Sequence, residues 1–249
     1  MQEILRRMSF ADYRFLVEVI SDGLSLADSR VLKEKLLAVE VDHSTAAVEE
    51  LCGVLEREIR YLGSADAAYL ARKALGQEPG VSWDEMIQDV ARTLKIALPL
   101  FSDEEAKLTE LVKAYVGQHF ASLDGDKQRK VLAGVGVPQE EINDFFKRNA
   151  LRVSAPLLLQ FFGSKVVEKI IADLALTAIA GFIGKGLGKR LIQEVVKKIP
   201  LWAEWLGPAA WAVSIGWTVS DLQGPALRKT IPLVLYIGLF LLRDESSGD

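Results

Sequence analysis

Histidine, cysteine and closely set carboxylates are the raw material of metal centres and nucleophilic sites, and this chain supplies few of them. Among its 249 residues there are two histidines, His43 and His119, and one cysteine, Cys52. A zinc centre takes three or four Cys, His or carboxylate ligands, and a nucleophile needs a base beside it. His43 falls near a helix start and His119 on a separate predicted helix, and no H-E-x-x-H, C-x-x-C or G-x-S-x-G spacing occurs. Cys52 sits inside an apolar stripe, as a core thiol would. The pairs Glu49-Glu50, Glu104-Glu105 and Glu140-Glu141 fall at helix starts or on polar faces, where the helix dipole and water account for them. The run Gly181 to Arg190, GFIGKGLGKR, has the glycines of a phosphate cradle. A P-loop, however, follows a strand and places Ser or Thr after Gly-Lys. Here Gly186 follows Lys185 and Arg190 follows Lys189. These residues predict no catalytic site, no metal and no cofactor; an enzyme would need polar groups that converge only in the fold. The glycines suit close helix packing better, with Ala180, Gly184 and Gly188 on one helix face.

The elements that carry these residues are helices. Phe15, Leu16, Val19 and Ile20 mark one face of a helix from Ser9 to Ser21, and a second follows Ser25. Asp42 to Ser44 can cap a longer one through Leu51, Cys52, Leu55, Ile59 and Leu62, stopped at Gly63. Ala65 to Leu75 reads as a short helix. Ser82-Trp83-Asp84-Glu85 is a capping box opening a helix through Met86, Ile87, Val90 and Leu98 to Pro99, and Ser102 to Glu105 repeats the device. Lys127 to Val135 is another helix, and Pro138 at a first-turn position starts one through Ile142 and Phe145. No stretch alternates with period two between hairpin turns, so the fold class is all-α. Residues 1–153 read as a charged multi-helix bundle, and 154–249 as a glycine- and tryptophan-rich apolar module with a soft boundary between them.

Composition bounds the partners. A net charge of −4 and a pI near 5.4 speak against nucleic acid. One cysteine suits a reducing compartment, and the charged N-terminus MQEILRRMSFADYRF lacks the apolar core of a signal peptide, so a cytoplasmic location is expected. Half the chain is apolar and its mean hydropathy is +0.18, with the excess gathered at the C-terminal end. There, Lys185, Lys189, Arg190, Lys197 and Lys198 ride opposite an aliphatic stripe. Such a helix fits either an interfacial membrane segment or a solvated surface helix. Leu201 to Arg243 follows, with Trp202, Trp205, Trp211 and Trp217 and two Gly-Pro breaks. Ile231 to Leu242 is twelve residues, ~18 Å as a helix against a hydrocarbon core of ~30 Å, and too short to span alone. Ile170 to Ile183 is interrupted by Asp173. Buried core helices, or helices that insert only on a trigger, fit this pattern better than a constitutive membrane protein.

Two stretches resemble the YaaW family of uncharacterised bacterial proteins, which is grouped distantly with the ubiquinol–cytochrome c chaperones. In the first, Glu58-Ile59, Leu62-Gly63, Trp83, Met86-Ile87, Asp89-Val90 and Leu94-Lys95 take the family's places. In the second, Arg228-Lys229-Thr230-Ile231-Pro232 matches its C-terminal signature. Ser64 stands where the family has the second glycine of a turn, and Gln77-Glu78-Pro79 is inserted where the family has a compact Arg-Gly-x-Gly. The resemblance implies a bacterial intracellular helical protein whose motifs (Glu58, Gly63, Trp83, Asp89, Lys95, Arg228, Thr230 and Pro232) are structural. The resulting expectation is a non-enzymatic binding or regulatory protein. Its C-terminal part would engage an anionic membrane surface, peripherally on the inner face of the cell membrane, or pack hydrophobic helices. A soluble assembly chaperone or protein-interaction factor is the alternative. The basic residues and the four C-terminal tryptophans are the candidate contacts.

Overall fold

A computed structural model describes residues 1–22, 26–63, 80–99, 101–149, 153–199 and 227–247. The described residues form helices and connections, with no strand among them. In chain order they are α1 (Gln2–Arg6), α2 (Phe10–Ser21), α3 (Leu26–Asp42), α4 (Thr45–Leu62), α5 (Trp83–Thr93) and α6 (Glu104–Ser122). Then come α7 (Gly125–Gly134), α8 (Gln139–Arg148), α9 (Ala155–Phe162), α10 (Ser164–Ile183), α11 (Lys185–Lys198) and α12 (Leu227–Ser247).

Local chemistry sets the helix ends. Ser9 and Asp12 form a capping box on α2, and Ser82 and Glu85 form one on α5. Helix α6 differs from the sequence reading: Asp103, rather than Ser102, caps it by accepting from the Ala106 amide at 2.7 Å, and Glu105 reaches out to Arg7 at 2.7 Å. Helix α5 stops at Thr93, short of Pro99. Lys95 takes a left-handed φ of +58°, the Ile96 amide donates to Ala91 O and the Lys95 amide to Arg92 O. That is a Schellman closure built on a lysine instead of a glycine. Pro138 is the N-cap of α8 rather than a first-turn residue.

Ala180, Gly184 and Gly188 do not share one helix. Gly184, at φ +111°, separates α10 from α11. Gly188 instead brings α11 back against α10, where a Cβ on it would lie 2.4 Å from Ala180 O. The predicted close approach exists, but across a corner between two helices.

Helix α12 lies at the centre. From Ile231 to Leu241 its large apolar side chains are at most 2 % exposed, on every side of the helix. A helix that is apolar all round must be surrounded. Its most extensive contacts are with α10 and α6, and it also touches α5, α2 and α4. Gly238 permits the approach to α6, since an added Cβ would sit 2.6 Å from Leu108 O. Helix α10 is buried almost as fully from Ile170 to Ile179. The apolar C-terminal run is thus core, inside one hydrophobic cluster that takes in α1, α2 and α4 to α6 as well. Among the described residues no helix is long and apolar enough to cross a membrane.

Candidate functional site

Three features of the fold bring polar and apolar groups together in ways that bear on function. The first is a buried polar centre. Asp12 is fully buried, and both its oxygens are saturated. Oδ1 accepts from Tyr236 Oη at 2.7 Å and Arg243 Nη1 at 3.1 Å. Oδ2 accepts from Arg243 Nη2 at 2.9 Å, the Ser9 amide at 2.9 Å and Ser9 Oγ at 2.6 Å. Tyr236 stacks on Phe15 with ring centroids 3.9 Å apart, and burial next to Asp12 holds its phenol far above the ordinary pKa, so it stays a donor. The Arg243 guanidinium also lies over Phe240 at 4.9 Å. With Asp12–Arg243 in its first turn and Asp22–Lys229 at its C-terminal end, α2 runs antiparallel along α12 and is fastened at both ends, while Arg7, at the end of α1, pairs with Asp244. A carboxylate with five donors around it has no lone pair left for a substrate. This centre ties α2 to α12.

The second is a groove of ≈ 500 Å³ between α6, α9 and α10. Val116, Gly117, Phe120, Leu158, Leu159, Val167, Ile170 and Ile171 give it an apolar lining, and Lys113, Ser164 and Glu168 are its polar side chains. Leu159 is 50 % exposed. Lys113 and Glu168, on different helices, make no ion pair or side-chain hydrogen bond among the described residues. Its size and composition are those of a binding site for an apolar group.

The third is the face of α11. Leu191, Ile192 and Val195 are buried against α10 and α2, and Glu194 pairs with Arg14 at 3.2 Å. Lys189, Arg190, Lys197 and Lys198 are exposed. The aliphatic stripe is therefore largely occupied, and the cationic face meets solvent. The side chain of Lys185 and the four tryptophans Trp202, Trp205, Trp211 and Trp217 lie outside the described residues.

Of the residues that carry the resemblance, Glu58, Trp83, Thr230 and Pro232 are buried and Asp89 is exposed. Glu58 is 8 % exposed and accepts from Arg57 at 2.8 and 3.0 Å. Gly63 ends α4, where a Cβ would meet Met86 Cε at 2.5 Å. Trp83 is buried on the first turn of α5, its Nε1 without a hydrogen-bond partner among the described residues. Asp89 pairs with Arg92 at 2.8 Å. Thr230 is buried and Pro232 lies inside α12; the Arg228 side chain is outside the described residues.

Residues of catalytic type stay apart. Cys52 is 1 % exposed beside Tyr13 Oη at 3.7 Å, and burial raises its pKa. Burial lowers His119 to about 4, so it is neutral at physiological pH, and His43 is exposed in the turn before α4. No three His, Cys, Asp or Glu residues converge on a metal-sized space among the described residues. Sequence reasoning did not single out Asp12, Tyr236 or Lys113. The Ser-x-x-Asp spacing of Ser9 and Asp12 announces a cap, but nothing in it announces a partner more than 220 residues away.

Comparison with known proteins adds a distant likeness. A protein of Helicobacter pylori (strain J99), described as a UPF0174 protein, is 21% identical over 248 residues, covering 99% of this chain and 92% of the relative. No protein-family model matches the chain, and no solved structure does. The likeness supports an uncharacterised bacterial family, and its reach includes every helix described above.

Proposed function

We propose that this is a non-enzymatic protein-binding factor that keeps its own hydrophobic helices at the centre of the bundle and takes an apolar segment of a partner in the α6–α9–α10 groove. The observation that carries it is the groove itself: an open apolar surface with Leu159 half exposed, in a bundle whose buried polar centre has no vacant acceptor. Apolar lining with a few polar groups at its edge is what a binding surface needs, since burial supplies affinity and the polar groups supply orientation. The YaaW resemblance at Glu58 to Lys95 and Arg228 to Pro232, with its distant chaperone grouping, leans the same way, towards an intracellular assembly or interaction factor. Groove-filling by Gly117→Leu tests this. An added Cβ there has only Ala155 Cβ at 3.8 Å, so the fold is expected to tolerate the change while partner binding, followed by pull-down and calorimetry, falls at least tenfold. Binding unchanged in a folded variant would sink the reading.

A second reading is peripheral adsorption to anionic membrane through Lys189, Arg190, Lys197 and Lys198, favoured by their shared exposure on α11. Because the stripe beneath them is buried, this adsorption is electrostatic, about 1 kcal/mol per basic residue, and fades with salt. Co-sedimentation with anionic vesicles is expected to weaken by an order of magnitude or more in a Lys197→Glu/Lys198→Glu variant. Equal sedimentation by variant and parent, or indifference to salt, would rule it out.

A further inference from the structure

Helix α3 packs inward through Leu32 and Val39 and leaves its opposite side in water. Of the five large apolar side chains exposed among the described residues, three belong to it: Val31, Leu37 at 58 % and Val41 at 76 %. Ala38 is exposed beside them. Successive helical residues turn by about 100°, so Arg30, Glu34, Leu37 and Val41 form one outward seam. Val31 and Ala38 lie along one side of that seam and Lys33 and Glu40 along the other, each pair seven residues apart. Arg30 and Glu34 pair with each other at 2.9 Å, and Lys35 is held by Glu50 of α4. Lys33 and Glu40 are exposed and make no ion pair or side-chain hydrogen bond with any described residue. Glu40 also stands in the last turn of α3, which holds no basic residue, and the helix dipole opposes a carboxylate there. Asp42 in the same turn accepts from Ser44 Oγ; Glu40 has no such answer. A stripe with an unpaired cation in its first half and an unpaired anion in its second is complementary to itself turned end for end. We propose that α3 is the interface of a homodimer, packed antiparallel on α3 of a second copy across a two-fold axis. In that pairing Lys33 meets Glu40 of the second copy and Val31 meets its Ala38, with Leu37 and Val41 in the seam between, and every contact is made twice. A parallel pairing would set Lys33 and Glu40 against the Val31–Ala38 flank and leave both charges unpaired. With 17 residues α3 is about 25 Å long, too little for a standard-sized interface, so the dimer is a weak one that forms at micromolar concentration and above.

Sedimentation velocity of the full chain over a concentration series tests this. The parent is expected to pass from monomer to dimer, and to do so less readily in high salt. Glu40→Lys makes the charged flank wholly basic and Lys33→Glu makes it wholly acidic. Either change should weaken self-association about tenfold, through two lost pairs and two new repulsions, while the thermal midpoint holds because both positions are exposed. Mixed together, the two variants should form a one-to-one heterodimer at least as readily as the parent dimerises. The double variant Lys33→Glu/Glu40→Lys should dimerise like the parent, and Leu37→Glu should keep the chain monomeric. A parent that stays monomeric up to millimolar concentration would overturn the proposal. So would a dimer that the two charge variants leave unchanged, or one that mixing them fails to restore, because neither behaves as an antiparallel α3 pair must.

Discussion

Asp12 shows how much one side chain can decide. Its carboxylate is buried, takes five hydrogen bonds and neutralises Arg243, which is 7 % exposed. Removing one member of a buried pair leaves the other charged and unsolvated, which costs about 3–5 kcal/mol. Asp12→Ala is therefore expected to lower unfolding stability in urea by that amount. Tyr236→Phe, which removes one donor of several, should cost only about 1 kcal/mol. A second buried carboxyl behaves oppositely. Asp173 is 5 % exposed on α10, forms no hydrogen bond or ion pair with a described residue, and burial raises its pKa from 3.8 to about 7. Because the folded-state pKa is the higher one, the unfolded chain ionises first as pH rises. Stability should therefore decline from about pH 4 to about pH 7 and level off above. Asp173→Asn should remove that slope and stabilise the protein at pH 8 by on the order of a few kcal/mol. A parent and variant with the same pH profile would contradict the assignment.

At the scale of the element, helix positions were legible because capping and period are local. Ser82 with Glu85 and the stripe Leu51–Cys52–Leu55–Ile59 appear where the spacing put them. The ends that differ do so for local reasons that compete on nearly equal terms. Asp103 outdoes Ser102 as a cap, and a left-handed Lys95 ends α5 before Pro99 can. Packing partners were not legible. The glycine run predicted close approach, but only the turn at Gly184 decides that Gly188 meets Ala180 on a neighbouring helix. The groove was invisible for the same reason, since α6, α9 and α10 come from separated stretches and its key feature is an absence of side chain at Gly117. The tightest element contact makes a prediction of its own. Gly238→Ala would drive a methyl to 2.6 Å from Leu108 O and 2.7 Å from Val112 Cγ2. Overpacking of that kind costs about 1–3 kcal/mol. Calorimetry should show a lower midpoint for Gly238→Ala, whereas Gly117→Ala, whose methyl meets only Ala155 Cβ at 3.8 Å, should hold or raise it.

For the whole molecule, the polarity contrast along the chain becomes a contrast between inside and outside. The apolar end that looked in sequence like a membrane segment or a core is, from Ile231 to Leu242, the centre of the bundle. It is strapped by α2 and covered by α6 and α10. The basic helix α11, packed on α10 and α2, keeps its aliphatic face for the core and its cations for solvent. Function on this account resides at surfaces, in the groove and on the α11 face, while α12 stays where it is. Hydrogen exchange of the full chain tests that most directly, read alone, with a leucine-rich peptide as the apolar segment and with anionic vesicles. Amides of residues 231–242 should remain in the slowest-exchanging class in all three conditions, while 113–120 and 155–171 gain protection with the peptide. Rapid exchange of 231–242 on adding vesicles, with no protection at the groove from the peptide, would contradict it.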